Sequence, residues 1–140
     1  MRSVRVLLVD DSREFLESAV QFLSTHRAIE IVGCAWSGRE ALEQVAALKP
    51  DLVLIDLVMP SMNGLDTTRT IKAGPAAPRI VIMTLHDIPE YRDAALDAAA
   101  DGFIAKSAIG LRLVPMIVEL FATTEPCPSY VDLTRETRPL

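Results

Sequence analysis

Five short apolar runs recur along the chain, and each is followed by a segment with helical periodicity. The runs are Val4–Val9, Ile29–Ala35, Leu52–Ile55, Arg79–Met83 and Gly102–Ala105. They are rich in Leu and β-branched residues and mostly continuous, the pattern of strands covered on both faces. After the first run, Phe15, Leu16, Ala19, Val20 and Leu23 recur at three- and four-residue spacing, with Ser12 as N-cap. A second helix opens on Ser37-Gly-Arg-Glu40, a capping box, carries Ala41, Leu42, Val45 and Leu48 on one face, and ends at Lys49-Pro50. A third follows Asn63-Gly64 and runs to about Lys72. A fourth opens on the box-like Asp87-Ile-Pro-Glu90, with Pro in the first turn, where it costs least. A fifth covers roughly Gly110 to Thr123, with an irregular first turn because of Pro115.

Strand and helix alternating five times predict an α/β fold: a doubly wound parallel (βα)5 sheet with helices on both faces. Right-handed crossovers leave few topologies, and the flavodoxin-like order 2-1-3-4-5 is expected. The 140 residues fit one domain, with 50% hydrophobic residues to fill its core. Its bounds are read as 1–123, and residues 124–140, with three of the nine prolines and no helical period, as a tail or the start of a linker.

The two cysteines suggest no disulfide framework: Cys34 lies in an apolar run and Cys127 in the Pro-rich segment. A net charge of -5 without a Lys/Arg cluster argues against nucleic-acid binding by this chain itself. The N-terminus carries no signal-peptide pattern, and no apolar run approaches a membrane span. A cytoplasmic protein is expected.

In doubly wound sheets, ligands bind beyond the carboxyl ends of the strands. There this sequence places Asp10 and Asp11 after the first strand, Asp56 at the third, Thr84 at the fourth and Lys106 at the fifth. Each alone has an ordinary reading: the Asp pair as helix caps, Asp56 as a solvated strand-end acid, Thr84 as structural, Lys106 as a solvated lysine. Their joint placement is what those readings leave out. Three neighbouring carboxylates call for a hard divalent cation, and magnesium leaves its site open to a phosphate-bearing donor. Thr84 and Lys106 suit an incoming anion. The set suits phosphoryl transfer with a carboxylate as nucleophile.

The same residues resemble the receiver domains of response regulators. The acidic-pair motif is matched by Val6-Leu-Leu-Val-Asp-Asp-Ser12 and the phosphoacceptor motif by Pro50-Asp-Leu-Val-Leu-Ile-Asp-Leu-Val-Met-Pro-Ser-Met-Asn-Gly64. Ile80-Val-Ile-Met-Thr84 and Gly102-Phe-Ile-Ala-Lys-Ser107 match the last two strand motifs, so the likeness spans about residues 4–122. Ala99-Ala-Asp-Gly-Phe-Ile-Ala-Lys-Ser resembles receivers of LuxR/NarL/FixJ-type regulators. The resemblance implies that Asp56 is the phosphoacceptor and Mg2+ the cofactor. Asp11 would bind the ion directly, Asp10 through water, with Asp56 and the Val58 backbone carbonyl as further ligands. Lys106 would contact the phosphoryl group, Thr84 would move to hydrogen-bond it, and Phe103 would be the switch aromatic. Gly64 and Met59-Pro60 would shape the adjoining loop, Gly64 through its backbone freedom. Val58, Leu85 and His86 flank the site as tuning positions. Leu85 stands where the family has a small residue, which puts access to Asp56 in question, and Ser107 stands where many receivers have proline.

The implied partners are a sensor histidine kinase or phosphotransfer protein, with a homodimer through the fourth helix, fifth strand and fifth helix. The chain would be an acceptor with slow self-dephosphorylation, not an enzyme. Two outputs stay open: a stand-alone receiver acting by protein–protein contact, or the receiver part of a DNA-binding transcription regulator. A phosphatase with Asp56 as nucleophile would usually carry a second Asp where Val58 stands. A flavin module would need a hydroxyl-rich loop where Asp10-Asp11 would repel phosphate.

Overall fold

The computed structural model describes residues 3–121 and the backbone of residues 131–132. The strands are β1 (Val4–Val9), β2 (Ile29–Ala35), β3 (Leu52–Asp56), β4 (Arg79–Thr84), β5 (Gly102–Ala105) and β6 (Val131–Asp132). The helices are α1 (Arg13–Leu23), α2 (Gly38–Leu48), α3 (Gly64–Lys72), α4 (Pro89–Asp97) and α5 (Val114–Phe121). All five expected strands form. β3 and β4 each run one residue further than the apolar pattern, to take in Asp56 and Thr84.

The sheet order is β2-β1-β3-β4-β5-β6, and every adjacent pair is parallel. The expected 2-1-3-4-5 order is therefore present, with the backbone of Val131–Asp132 added beside Gly102 and Phe103. The rest of the segment read as a tail, Cys127 included, lies outside the described residues.

The continuous strand runs are explained by two cores, one on each face of the sheet. Val6, Leu8, Leu52, Leu54, Val81, Met83 and Ile104 face Leu16, Ala19 and Leu23 of α1 and Met116, Ile117 and Leu120 of α5. Their alternate neighbours Leu7, Val9, Val53, Ile55, Ile80, Ile82 and Phe103 face α2, α3 and α4. Period-two geometry sends successive side chains to opposite faces, so a strand with helices on both sides has no polar face to display. A buried Asp101 joins three elements at the end of the sheet away from the strand carboxyl termini. It accepts from the Ile80 N–H at 2.8 Å and from Lys72 Nζ at 2.8 Å, and pairs with Arg79 at 3.5 Å.

Local signals set the helix ends. Ser12 Oγ accepts from Phe15 N and Asn63 Oδ1 from Asp66 N, as N-caps do. At α2 the Ser37 hydroxyl accepts from Glu40 N, while Glu40 reaches back to the N–H of Trp36. The box expected at α4 does not form. Ile88 is the N-cap, without a side-chain bond, and Asp87 instead pairs with Arg92 at 2.8 Å. Tyr91 N and Arg92 N both donate to Ile88 O, so α4 starts one residue later than a cap at Asp87 requires. The irregularity expected around Pro115 is present: Lys106–Ala108 form a 3₁₀ turn and Ile109–Leu113 a π turn before α5 proper. Pro115 has no N–H to return to Leu111, and its ring would crowd that carbonyl, so a wider turn precedes it.

Candidate functional site

The order of strands reverses between β1 and β3, and the acidic residues gather there. Asp10 follows β1 directly, is buried, and is held by its own neighbourhood: its Oδ1 accepts from the Ser12 N–H at 2.9 Å. Asp11, next in the chain, is exposed. Asp56 ends β3 and is 7% exposed, so one edge of its carboxyl stays open at the rim. Carboxylate oxygens of Asp10, Asp11 and Asp56 lie within 4.8 Å of one another.

Lys106 enters from the end of β5. Its Nζ donates to Asp10 Oδ2 at 2.6 Å and lies 3.2 Å from Asp56 Oδ1. One ammonium does not balance three carboxylates. Burial pushes the Asp56 carboxyl up to about 6, the Asp10 charge adds to this, Lys106 pulls back, and Asp11 adds a smaller push upward. That surplus of negative charge on hard oxygen donors fits a divalent cation. Asp10, Asp11 and Asp56 are the side chains that would hold it.

Thr84 is buried at the end of β4. Its hydroxyl accepts from His86 N at 3.0 Å and donates to His86 O at 3.2 Å. Phe103 is fully buried in the core under α4 rather than half-exposed at the surface. The large side chains of Val58 and Leu85 are exposed, at 59% and 75%, and His86 is exposed too. Leu85 is therefore not packed into the core.

Gly64 acts here for a reason the sequence does not reveal. Its φ is not positive, so conformational freedom is not what it supplies. A Cβ at this position would lie 2.2 Å from the Asp56 carbonyl oxygen and 3.0 Å from Leu57 Cα. The N-terminus of α3 is pressed against the backbone of the Asp56 strand end, and the Gly64 N–H donates to Leu57 O at 2.9 Å. Only a residue without a side chain fits this approach.

Sequence reasoning brought Asp10, Asp11, Asp56 and Lys106 together correctly in space. It missed Phe15 as a neighbour: Lys106 Nζ lies over the Phe15 ring, 4.2 Å from its centroid. Helical periodicity marks Phe15 only as apolar, and nothing in the sequence ties it to the residue that follows β5.

Comparison with known proteins agrees with this geometry. The family model described as "Response regulator receiver domain" matches residues 6–117. A "Protein-glutamate methylesterase/protein-glutamine glutaminase" of Geobacillus kaustophilus is 41% identical over 107 residues, covering 76% of this chain and 31% of that protein. "Response regulator protein VraR" of Staphylococcus aureus is 38% identical over 107 residues, covering 75% of this chain and 50% of VraR. The match thus spans 31% to 50% of the length of these relatives. The signal receiver domain of NarL from Mycobacterium tuberculosis superposes with a TM-score of 0.79 at 31% identity, covering 84% of this chain and 95% of that one.

Proposed function

The chain belongs to the response regulator receiver domain family of two-component systems, and from that premise we propose that Asp56 accepts a phosphoryl group from a histidine kinase or phosphotransfer protein. Receiver domains interact with such donors and generally bind Mg2+ in an acidic pocket of this kind. The observation that carries the reading is the convergence of Asp10, Asp11 and Asp56 within 4.8 Å, with Lys106 bridging two of them.

In this reading an Asp56 carboxylate oxygen attacks phosphorus. The P–O bond to the acyl group of a small donor, or the P–N bond to a phosphohistidine, breaks, and its electron pair leaves with the donor. Asp11, Asp56 and the Val58 carbonyl would hold Mg2+, with Asp10 acting through water, and the ion would supply positive charge to offset that of the phosphoryl oxygens. Lys106 gives up its bond to Asp10 and donates to the phosphoryl group. Thr84 exchanges its bond to His86 O for one to a phosphoryl oxygen. At 3.2 Å that bond is long for a hydroxyl donor, so little is lost in the exchange. Phe103 is already inward, so the switch at β5 consists of holding it there while Thr84 moves. Val58, Leu85 and His86 at the rim set how readily water reaches the acyl phosphate and resets the site.

The face formed by α4, β5 and α5 carries the output, as a homodimer contact or a contact with a partner. Control of transcription is the process this reading assigns to that output. The reading is tested by incubating the protein with radiolabelled acetyl phosphate, with and without Mg2+. The parent takes label only with Mg2+, and Asp56→Asn takes none. Full labelling of Asp56→Asn removes Asp56 as the acceptor.

A further inference from the structure

Lys106 is enclosed on three sides: by Asp10 at 2.6 Å, by Asp56 at 3.2 Å and by the Phe15 ring at 4.2 Å. Its side chain is 10% exposed. The aromatic contact is locked to the acidic residues by a closed circuit of bonds. Asp10 Oδ1 accepts from Ser12 N, Ser12 Oγ accepts from Phe15 N, and Asp10 Oδ2 accepts from Lys106 Nζ. The backbone of Phe15 is therefore fixed relative to Asp10, and its ring is braced against the core on the α1 side.

A hydrogen bond to a carboxylate is directional, whereas a ring face attracts a cation through its quadrupole over a broad area. To serve a phosphoryl group on Asp56, Lys106 must give up its bond to Asp10 and reach the phosphoryl oxygens. During that move an ammonium in a largely buried site needs a partner that does not depend on angle. We propose that Phe15 is a positioning residue for phosphoryl transfer, its ring face being the platform on which the Lys106 ammonium passes from Asp10 to the phosphoryl group. This rests on Asp56 being the acceptor.

The test compares initial labelling rates with acetyl phosphate and saturating Mg2+ for the parent, Phe15→Leu, Phe15→Tyr, Lys106→Met and Phe15→Leu/Lys106→Met. Phe15→Leu keeps an apolar side chain but loses the ring, and should slow labelling by roughly 2- to 30-fold, the span of cation–π strengths from exposed to desolvated sites. Phe15→Tyr should stay within about twofold of the parent, because it keeps the π face. In the Lys106→Met background the Phe15→Leu effect should vanish. Equal slowing in both backgrounds, or parental rates for Phe15→Leu, overturns the proposal.

NMR supplies a second readout. The Lys106 Cε protons should carry an upfield ring-current shift both before and after labelling, absent in Phe15→Leu. A labelled protein without that shift overturns the platform role even if Lys106→Met is too slow to assay. A parent that takes no label on Asp56 overturns the acceptor reading itself, and with it the proposal. A parent labelled on Asp56 whose Phe15 variants behave otherwise than described overturns the proposal alone.

Discussion

At the scale of single residues, Asp56 is held at a cost. Its carboxyl is raised from 3.8 to about 6 by burial first and by Asp10 next. A carboxyl raised in the folded state binds its proton more tightly there than in the unfolded chain. Stability from this group is therefore retained below about pH 4 and lost as pH rises through about 6. The loss amounts to up to about 3 kcal/mol by the exchange between pKa and free energy. Asp56→Asn removes the charge, so without metal its Tm should exceed the parent's at pH 7.5, and the gap should close towards pH 4. Thermal unfolding monitored by circular dichroism checks this; equal Tm values at pH 7.5 refute it. Gly64 shows the opposite sensitivity. Gly64→Ala would force a Cβ to within 2.2 Å of the Asp56 carbonyl. The strand end must shift, costing roughly 3 kcal/mol as an overpacking change, and the displaced carboxylate should label more slowly. An unchanged denaturation midpoint would show that the loop yields freely.

At the scale of elements, the site depends on strand ends supported from a distance. Asp101 ties Lys72 of α3 and the N–H of Ile80 to the start of β5 at the end of the sheet remote from Asp56. Removing it leaves a largely buried N–H and ammonium without that acceptor. Asp101→Ala should cost roughly 2–4 kcal/mol, since breaking one side of a buried pair is expensive. Labelling per folded molecule should stay near the parent's. Urea titration and labelling measured on the same sample separate the two, and a labelling defect without a stability loss would contradict the assignment. The π turn at Ile109–Leu113 belongs to this scale too. It precedes Pro115, and Leu111 within it is 84% exposed.

At the scale of the whole molecule, one of the two proposed outputs is self-association through the α4-β5-α5 face. Leu96 on α4 and Val118 on α5 are exposed, at 50% and 51%. If they line that contact, phosphorylation with acetyl phosphate and Mg2+ should raise the mass seen by light scattering. Leu96→Glu should keep the labelled protein monomeric while leaving labelling intact, because a charge buried in a dimer contact is unfavourable. A labelled Leu96→Glu that dimerises like the parent places the contact elsewhere.

How much of this was legible beforehand follows the range of each interaction. Continuous apolar runs and helical period gave β1 to β5 and the five helices, because both act within a few residues in sequence, whereas β6 fell in the segment read as a tail. The gathering of Asp10, Asp11, Asp56 and Lys106 was legible through one rule, that strands of a doubly wound sheet end on a common rim. Gly64 was recognised, but for the wrong reason, since a close approach between distant backbones leaves no trace in local sequence. The box expected at Asp87–Glu90 did not form because the helix takes Ile88 as its N-cap, one residue later. The amino-acid order by itself thus determined which groups could meet. Tertiary structure alone decided how tightly they meet: the 2.6 Å bond of Lys106 to Asp10, the ring of Phe15 beneath the ammonium and the inward Phe103. These depend on side-chain directions from two separate strand ends, those of β1 and β5, and from α1, which are fixed only when both cores close on the sheet.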